Sequence, residues 1–187
     1  DPFMPSLQYS NYNIENLSKY YKFVDHNFVT THPSILKKQK LNTDNFHFFF
    51  VPVDPNIECF EVYKLNPKKD LFYAMSHGVN RGSLKKGKKD QRMIFLNSLI
   101  KKLSDIKYDF YGFNNKEPIW GNEFYKTLIN SKMGLNLSRG KATKYYSSNR
   151  IASLMGNGLM TFIDKKTQLN DFFKNDELIF YNDINDL

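Results

Sequence analysis

One stretch decides the fold, MGLNLSRGKATKYYSSNRIASLMGNGLMTFID at residues 133–164. It begins with a short apolar run at residues 133–137, which predicts a strand, and continues into a basic loop that contains no acid. Ser147 and Ser148 predict the start of a helix, because a serine hydroxyl can accept a hydrogen bond from a free amide of the first turn. The glycines and asparagine at residues 156–158 end that helix, since both residue types tolerate positive φ. A second apolar strand follows this turn.

The basic loop and the helix also predict an anion-binding site. A helix N-terminus presents free amides and the positive end of the helix dipole, and both favour a phosphate. Arg139 in the loop and Arg150 in the first helical turn would add positive charge. The same spacing fits an ordinary βαβ unit with a solvated loop equally well. It therefore does not decide between an anion-binding site and a loop without a ligand.

From residue 71 onward, apolar runs alternate with helical periodicity. A helix is predicted at residues 89–103, because Leu96, Leu99, Ile100 and Leu103 recur at the i, i+3, i+4, i+7 spacing. Two more helices are predicted at residues 122–131 and 167–173. Strands joined by helices indicate right-handed crossovers and an α/β fold with a mainly parallel sheet. The five predicted strands cover residues 71–76, 108–113, 133–137, 159–163 and 178–181.

The first part of the chain is less regular. It predicts strands at residues 23–31 and 46–53, with a short helix at 33–40 between them. We divide the chain into a cloning remnant and start at residues 1–4, an N-terminal segment with a crossover at 5–66, and a main domain at 67–187.

Charge and composition narrow the function. The formal charge is +8, and residues 81–92 hold six basic residues against one acid. Such a segment suggests a polyanion, a phosphorylated ligand or an anionic membrane surface as the binding partner, although a solvated lysine face would also account for it.

Cys59 is the only cysteine and is expected to be buried beside Phe60. No signal peptide or bilayer-spanning run is visible, so we expect a cytoplasmic protein, with peripheral membrane contact left open.

Ligands of parallel α/β sheets bind outside the carboxyl ends of the strands, and two of the loops at those ends are the basic ones. This coincidence favours a phosphate-bearing ligand.

The glycines after the strand at 71–76 match neither the dinucleotide fingerprint nor a P-loop. Tyr145 and Tyr146 can either stack on a base or pack against their own loop. No zinc-ligand spacing occurs, so no metal is expected at Cys59 or at the four histidines, His26, His32, His47 and His77.

Several of these motifs together resemble the C-terminal, nucleotide-sugar-binding half of GT-B glycosyltransferases, in the group that includes spore-coat maturation glycosyltransferases. The resemblance covers residues 71–187 and implies a Rossmann-like three-layer domain. It is carried by MSHGVNRGSLKKGKKDQR at residues 75–92, DFYGF at 109–113, SKMGLNLS at 131–138, SSNRIASLMGNGLMTF at 147–162 and ELIFYND at 177–183.

The resemblance implies the donor-binding half of a glycosyltransferase, which transfers a sugar from a nucleotide-diphosphate sugar to a polysaccharide, a lipid-linked sugar or a protein. Cations and helix amides would neutralise the diphosphate, so neither a cofactor nor a metal is expected. The implied substrate-binding residues are the cations Arg81, Lys88, Arg139 and Arg150 for phosphate, Gly78 and Gly82 for close approach, Tyr146 for a base, and Ser147, Ser148 and Asn149 at the helix end.

The chain departs from the family pattern in two respects. Members commonly carry a glutamate on this helix for the nucleotide ribose, and that position falls at Ala152 here. The chain also looks too short for a two-lobed enzyme, so we interpret it as a fragment without the acceptor lobe, and no catalytic residue is assigned.

The alternative hypothesis is a non-catalytic basic α/β module that binds nucleic acid or a phosphorylated partner. RNA-recognition signatures are absent from the sequence, and its aromatics fall within strands instead of among the lysines. We therefore expect no nucleic-acid partner.

Overall fold

The computed structural model describes residues 15, 16, 18–76, 90–138 and 142–187. Its main feature is a parallel sheet of five strands that is flanked by α-helices. In chain order the elements are β1 Asn27–Val29, α1 Pro33–Lys38, β2 Phe46–Phe48, β3 Lys69–Ala74, α2 Gln91–Lys102, β4 Tyr108–Tyr111, α3 Gly121–Leu128, β5 Ser131–Asn136, α4 Asn149–Gly156, β6 Met160–Asp164 and β7 Ile179–Tyr181. Short 3₁₀ helices lie at Tyr21–Phe23, Val62–Lys64, Lys165–Thr167 and Leu169–Asp171.

The five strands predicted for the main sheet are confirmed, with ends shifted by one or two residues. Their order is β4-β3-β5-β6-β7, and every neighbouring pair is parallel. Leu71 of β3 is in register with Tyr108 on one side and with Met133 on the other. The chain leaves β3 towards β4, but it leaves β5 in the opposite direction towards β6. The boundary between β3 and β5 is therefore the topological switch point of the sheet.

Helices cover both faces of this sheet, which confirms the Rossmann-like three-layer α/β class. On one face, Leu96 of α2 packs in one core with Tyr73 of β3. On the other, Leu154 of α4 packs in a second core with Phe72. Adjacent residues of β3 thus face opposite layers, and a strand buried on both faces needs a continuous apolar sequence.

The first strands form a separate parallel pair, in which Phe28 is in register with His47. Both are shorter than predicted. The β2 strand ends at Phe48 because residues 49–53 turn to run beside α4, where the Val51 amide donates to Ser147 Oγ at 3.0 Å. Among the described residues, no helix is long and apolar enough to cross a membrane.

Three other predictions from the sequence need correction. The predicted helix at residues 167–173 is wrong, because Gln168 has φ 55° and separates two 3₁₀ helices. The helix predicted to reach residue 131 ends at Leu128, since Ser131 already begins β5. Cys59 is exposed, not buried.

Candidate functional site

The N-terminus of α4 lies beside the carboxyl end of β5. Ser148 is the N-cap: its Oγ accepts from the Ile151 amide at 3.4 Å and is 3.4 Å from Asn136 Oδ1. Ser147 is buried, and its hydroxyl accepts from the Val51 amide. Serine thus starts the helix as predicted, with Ser148 in the capping position and Ser147 joined to the segment after β2.

Arg150 reaches from α4 across the switch point. Its Nε donates to Ala74 O at 3.1 Å, and its Nη1 donates to Leu137 O at 3.0 Å and to Asn136 Oδ1 at 3.3 Å. The guanidinium carbon also lies 4.9 Å from the centre of the Tyr73 ring. Ala74 ends β3 and Leu137 follows β5, so one side chain connects the two strand ends where the sheet changes direction. The described hydrogen bonds use Nε and Nη1, which leaves Nη2 for a ligand.

Tyr73 lies in the layer below this arginine. It is fully buried, and its hydroxyl has no hydrogen-bond partner among the described residues. Burial raises the pKa of Tyr73, while the positive charges of Arg150 and Arg92 act in the opposite direction. The phenol therefore stays neutral at physiological pH.

The structure brings together only some of the predicted site residues. Ser148, Asn149 and Arg150 lie within the first turn of α4 or cap it, with Asn149 exposed and Arg150 half-buried. Tyr146 is half-buried just before the helix. Tyr145 packs against the segment after β6 and not against its own loop: its ring centre is 4.7 Å from that of Phe172, and its hydroxyl donates to Asp171 at 2.8 Å. The remaining predicted site residues lie outside the described part of the chain, namely Gly78, Arg81, Gly82, Lys88 and Arg139, and so does His77, for which no metal was expected.

A cleft of about 440 Å³ lies next to the crevice that Arg150 spans between the carboxyl ends of β3 and β5. This cleft was not predicted from the sequence. It is formed by the first two turns of α2 and by the residues that follow β5, β6 and β7. Its described lining combines apolar and polar groups, including Arg92, Phe95, Leu137, Asp164, Tyr181 and Asn182.

A buried ion pair supports the α2 side of the cleft. Asp90 caps α2 by accepting from the Arg92 amide, and its carboxylate also accepts from Arg92 Nε at 3.0 Å and from Nη2 at 2.6 Å. Burial is the largest single effect and lowers the pKa of Arg92, but the hydrogen bonds that Arg92 donates to Asp90, the charge of that carboxylate and the neighbouring Tyr73 together raise this pKa above its ordinary value. Both groups are thus held as a charged pair whose net charge is zero.

The α4 helix carries no acid, as the sequence indicates, but a carboxylate from another segment lies beside it. Glu58 Oε1 is 3.4 Å from Ser153 Oγ and 3.2 Å from the Tyr125 hydroxyl. Ala152, where the family pattern suggested a glutamate, is buried. Glu58 therefore joins the segment before β3 to α3 and α4.

The described histidines and acids show no metal centre. No group of three or more potential ligand side chains was found in the described ranges. His26 and His47 form a close pair, with Nδ1 3.0 Å from Nε2.

Comparison with known proteins agrees with this architecture. A family model described as glycosyl transferase-like matches residues 91–187, from the first residue of α2 to the end of the sequence. The matched region includes Arg150, α4 and every described residue that lines the cleft. Neither the curated proteins nor the solved structures gave a match.

Proposed function

The chain belongs to the glycosyl transferase-like family, and we propose that its five-stranded domain binds the nucleotide-diphosphate sugar donor of a glycosyl transfer reaction. The match at its C-terminal region is consistent with the C-terminal half of a GT-B glycosyltransferase. The observation that carries the proposal is the position of Arg150. Its guanidinium lies at the switch point, beside the helix terminus that Ser148 caps.

This position suits a diphosphate. The amides of the first turn of α4 and the helix dipole attract an anion, and Arg150 contributes a full positive charge. The segments that follow β3 and β5 are also basic in the sequence, which favours an anionic ligand for this domain. Donor phosphates placed here would therefore be neutralised by the protein.

The chemistry requires this neutralisation. In glycosyl transfer the bond between the anomeric carbon and the β-phosphate oxygen breaks, and the acceptor oxygen bonds to that carbon and gives up its proton to a base. The bonding electrons leave with the nucleoside diphosphate, so negative charge grows on the leaving group. Fixed cations and amide dipoles aimed at that position lower the barrier. In this proposal the protein's own cations take the role that a metal has elsewhere.

Ligand binding tests the proposal directly. UDP, GDP, dTDP and CMP would be titrated against the protein in a thermal-shift assay and by calorimetry. A ligand at a hundred times its dissociation constant stabilises the folded state by about 2.7 kcal/mol, which is easily detected. We expect at least one nucleoside diphosphate to bind. The proposal fails if none binds. Binding of an oligonucleotide with steep salt dependence in that case would indicate a nucleic-acid module.

A further inference from the structure

The cleft beside α2 and the crevice at Arg150 share one wall. Leu137 accepts the hydrogen bond from Arg150 Nη1 through its carbonyl oxygen, and the same residue lines the cleft. From Leu137 the cleft continues past the carboxyl ends of β6 and β7, away from β3. A ligand whose phosphates lie at the switch point can therefore extend one of its ends into the cleft.

Charge makes the cleft unsuitable for the phosphates themselves. Arg92 is neutralised by its buried pair with Asp90. The other charged residues that line the cleft among the described ones are Lys166, Asp164 and Asp183, so that, apart from the neutralised Arg92, one lysine faces two acids. In contrast, the segments that follow β3 and β5 carry an excess of positive charge in the sequence. The cleft thus suits an uncharged, polar part of the ligand.

The lining fits a nucleoside in shape and chemistry. Phe95 and Tyr181 supply apolar and aromatic surface, which packs well against the flat face of a base. Asn182 and Gln91 supply amides that can donate to and accept from its edge. The volume of about 440 Å³ lies within the usual range of small-molecule sites, about 300–1,000 Å³.

Asp164 is placed to bind a ribose hydroxyl. It ends β6, is half-buried and lines the cleft. Its Oδ1 accepts from the Lys166 amide at 2.8 Å and so fixes the side chain. The described hydrogen bonds of the carboxylate use only Oδ1, which leaves Oδ2 for a ligand. The α4 helix provides no acid of its own for this purpose.

We propose that this cleft holds the nucleoside of the donor and that Asp164 Oδ2 accepts a hydrogen bond from a ribose hydroxyl. The inference rests on the proposed function, because it needs the diphosphate to lie at Arg150. It adds a distinct claim, namely that the carboxylate for the ribose comes from the end of β6 and not from α4.

The central variant is Asp164→Asn. The amide oxygen of asparagine can still accept from the Lys166 amide, whereas its NH₂ group replaces the free acceptor Oδ2 with a donor. The matched control is Asp54→Asn, because Asp54 likewise accepts from the amide two residues later, at 2.9 Å, but does not line the cleft. A second variant, Ser98→Trp, fills the cleft from an exposed position on α2.

Calorimetry with inorganic pyrophosphate, UDP and GDP gives the readout. We expect Asp164→Asn to weaken the nucleoside diphosphate by about tenfold or more, as for loss of a hydrogen bond to a charged group. Pyrophosphate affinity should not change, and Asp54→Asn should bind as the wild type does. The loss of affinity caused by Asp164→Asn should be smaller for the deoxy analogue that lacks the contacted hydroxyl. The 2′-deoxy and 3′-deoxy forms of the same nucleotide test this. Ser98→Trp should abolish nucleotide binding and keep pyrophosphate binding.

The outcomes separate the two proposals. If the wild type binds neither pyrophosphate nor a nucleotide, the proposed function fails and this inference fails with it. If nucleotides bind but Asp164→Asn and Ser98→Trp leave their affinity unchanged, the inference alone is overturned. It is also overturned if the variants weaken only nucleotide sugars, because UDP and GDP lack the transferred sugar and the cleft would then hold that sugar.

Discussion

Arg150 Nε donates a hydrogen bond to the main-chain oxygen of Ala74 at 3.1 Å, although the two residues are 76 positions apart. Ala74 is the last residue of β3, and the same guanidinium also binds Leu137 O just after β5. An arginine that spans two strand ends fixes the width of the crevice between them. Arg150 therefore has a structural role besides the phosphate contact that the sequence suggested.

The first prediction is that Arg150→Ala lowers both stability and ligand affinity. Two main-chain oxygens and the Asn136 amide would lose a charged donor, and each buried acceptor left without a partner costs about 1–3 kcal/mol. We expect the free energy of unfolding in urea to fall by about 2 kcal/mol. Loss of the charge should weaken nucleoside diphosphate binding by roughly ten- to a hundred-fold.

Two further variants separate these effects. Lys101→Ala, at an exposed position in the last turn of α2, should change neither quantity appreciably. Arg150→Lys keeps the charge but cannot reach both strand ends with its single ammonium group, so it should restore part of the affinity and little of the stability. Wild-type nucleotide affinity in a folded Arg150→Ala protein would leave the arginine a structural residue.

The second prediction concerns the contact of Gly134 in β5 with Leu154 in α4. A Cβ atom added to Gly134 would lie 2.4 Å from Leu154 Cδ2 and 2.9 Å from its Cγ. Leu154 is fully buried and cannot move aside freely. Overpacking of this kind typically costs about 1–3 kcal/mol, so Gly134→Ala should lower the free energy of unfolding by that amount.

A double-mutant cycle checks the cause. Leu154→Ala alone should destabilise by about 2–5 kcal/mol through the cavity it leaves. If the clash is real, Gly134→Ala should cost little in the Leu154→Ala background, because the obstructing side chain is gone. Strictly additive effects would show that Gly134 is required for another reason.

The sheet was predictable from sequence because each central strand is buried on both faces. In β3, Phe72 and Tyr73 face opposite layers, so both are apolar and the strand reads as a continuous run. The helix after β6 was mispredicted because its apolar spacing is interrupted by the left-handed backbone of Gln168, which no residue type there signals.

The site was less predictable, since its contacts join distant parts of the chain. Arg150 and Ser148 were recognised because a helix start has a local pattern. The acceptors of Arg150 are main-chain oxygens, and these become known only when the strand order brings Ala74 and Leu137 together. The cleft was missed for the same reason: Arg92 lies in α2 and Asp164 ends β6, and no sequence spacing connects them.

The third prediction is that Cys59 reacts readily in the native protein. Its side chain is exposed, and it is the only cysteine in the sequence. A thiol reagent such as dithiobis(nitrobenzoate) should therefore label one group per chain at similar rates with and without urea. Cys59→Ser should abolish the reaction. Strong protection that disappears only on unfolding would contradict the exposed position.

The fourth prediction follows from an ionic contact between β3 and β5. Asp70 Oδ1 accepts from Lys132 Nζ at 2.9 Å, and its Oδ2 accepts from the Lys107 amide at 3.0 Å. The hydrogen bond from Lys132, followed by that from the Lys107 amide, lowers the pKa of Asp70 below its ordinary value.

A folded-state pKa below the unfolded one means that the carboxylate stabilises the fold fully above the unfolded pKa, about 3.9 for aspartate. The contribution is lost as the pH falls through the folded pKa. Asp70→Asn should therefore destabilise at pH 7 and differ less from the wild type near pH 2, as measured by urea unfolding at each pH. The lysine is largely exposed, so the difference at pH 7 should not exceed about 1 kcal/mol and should shrink in 1 M salt. A difference in unfolding free energy that grows towards low pH would contradict this prediction. It would show that the protonated form of Asp70 stabilises the fold more than the carboxylate does.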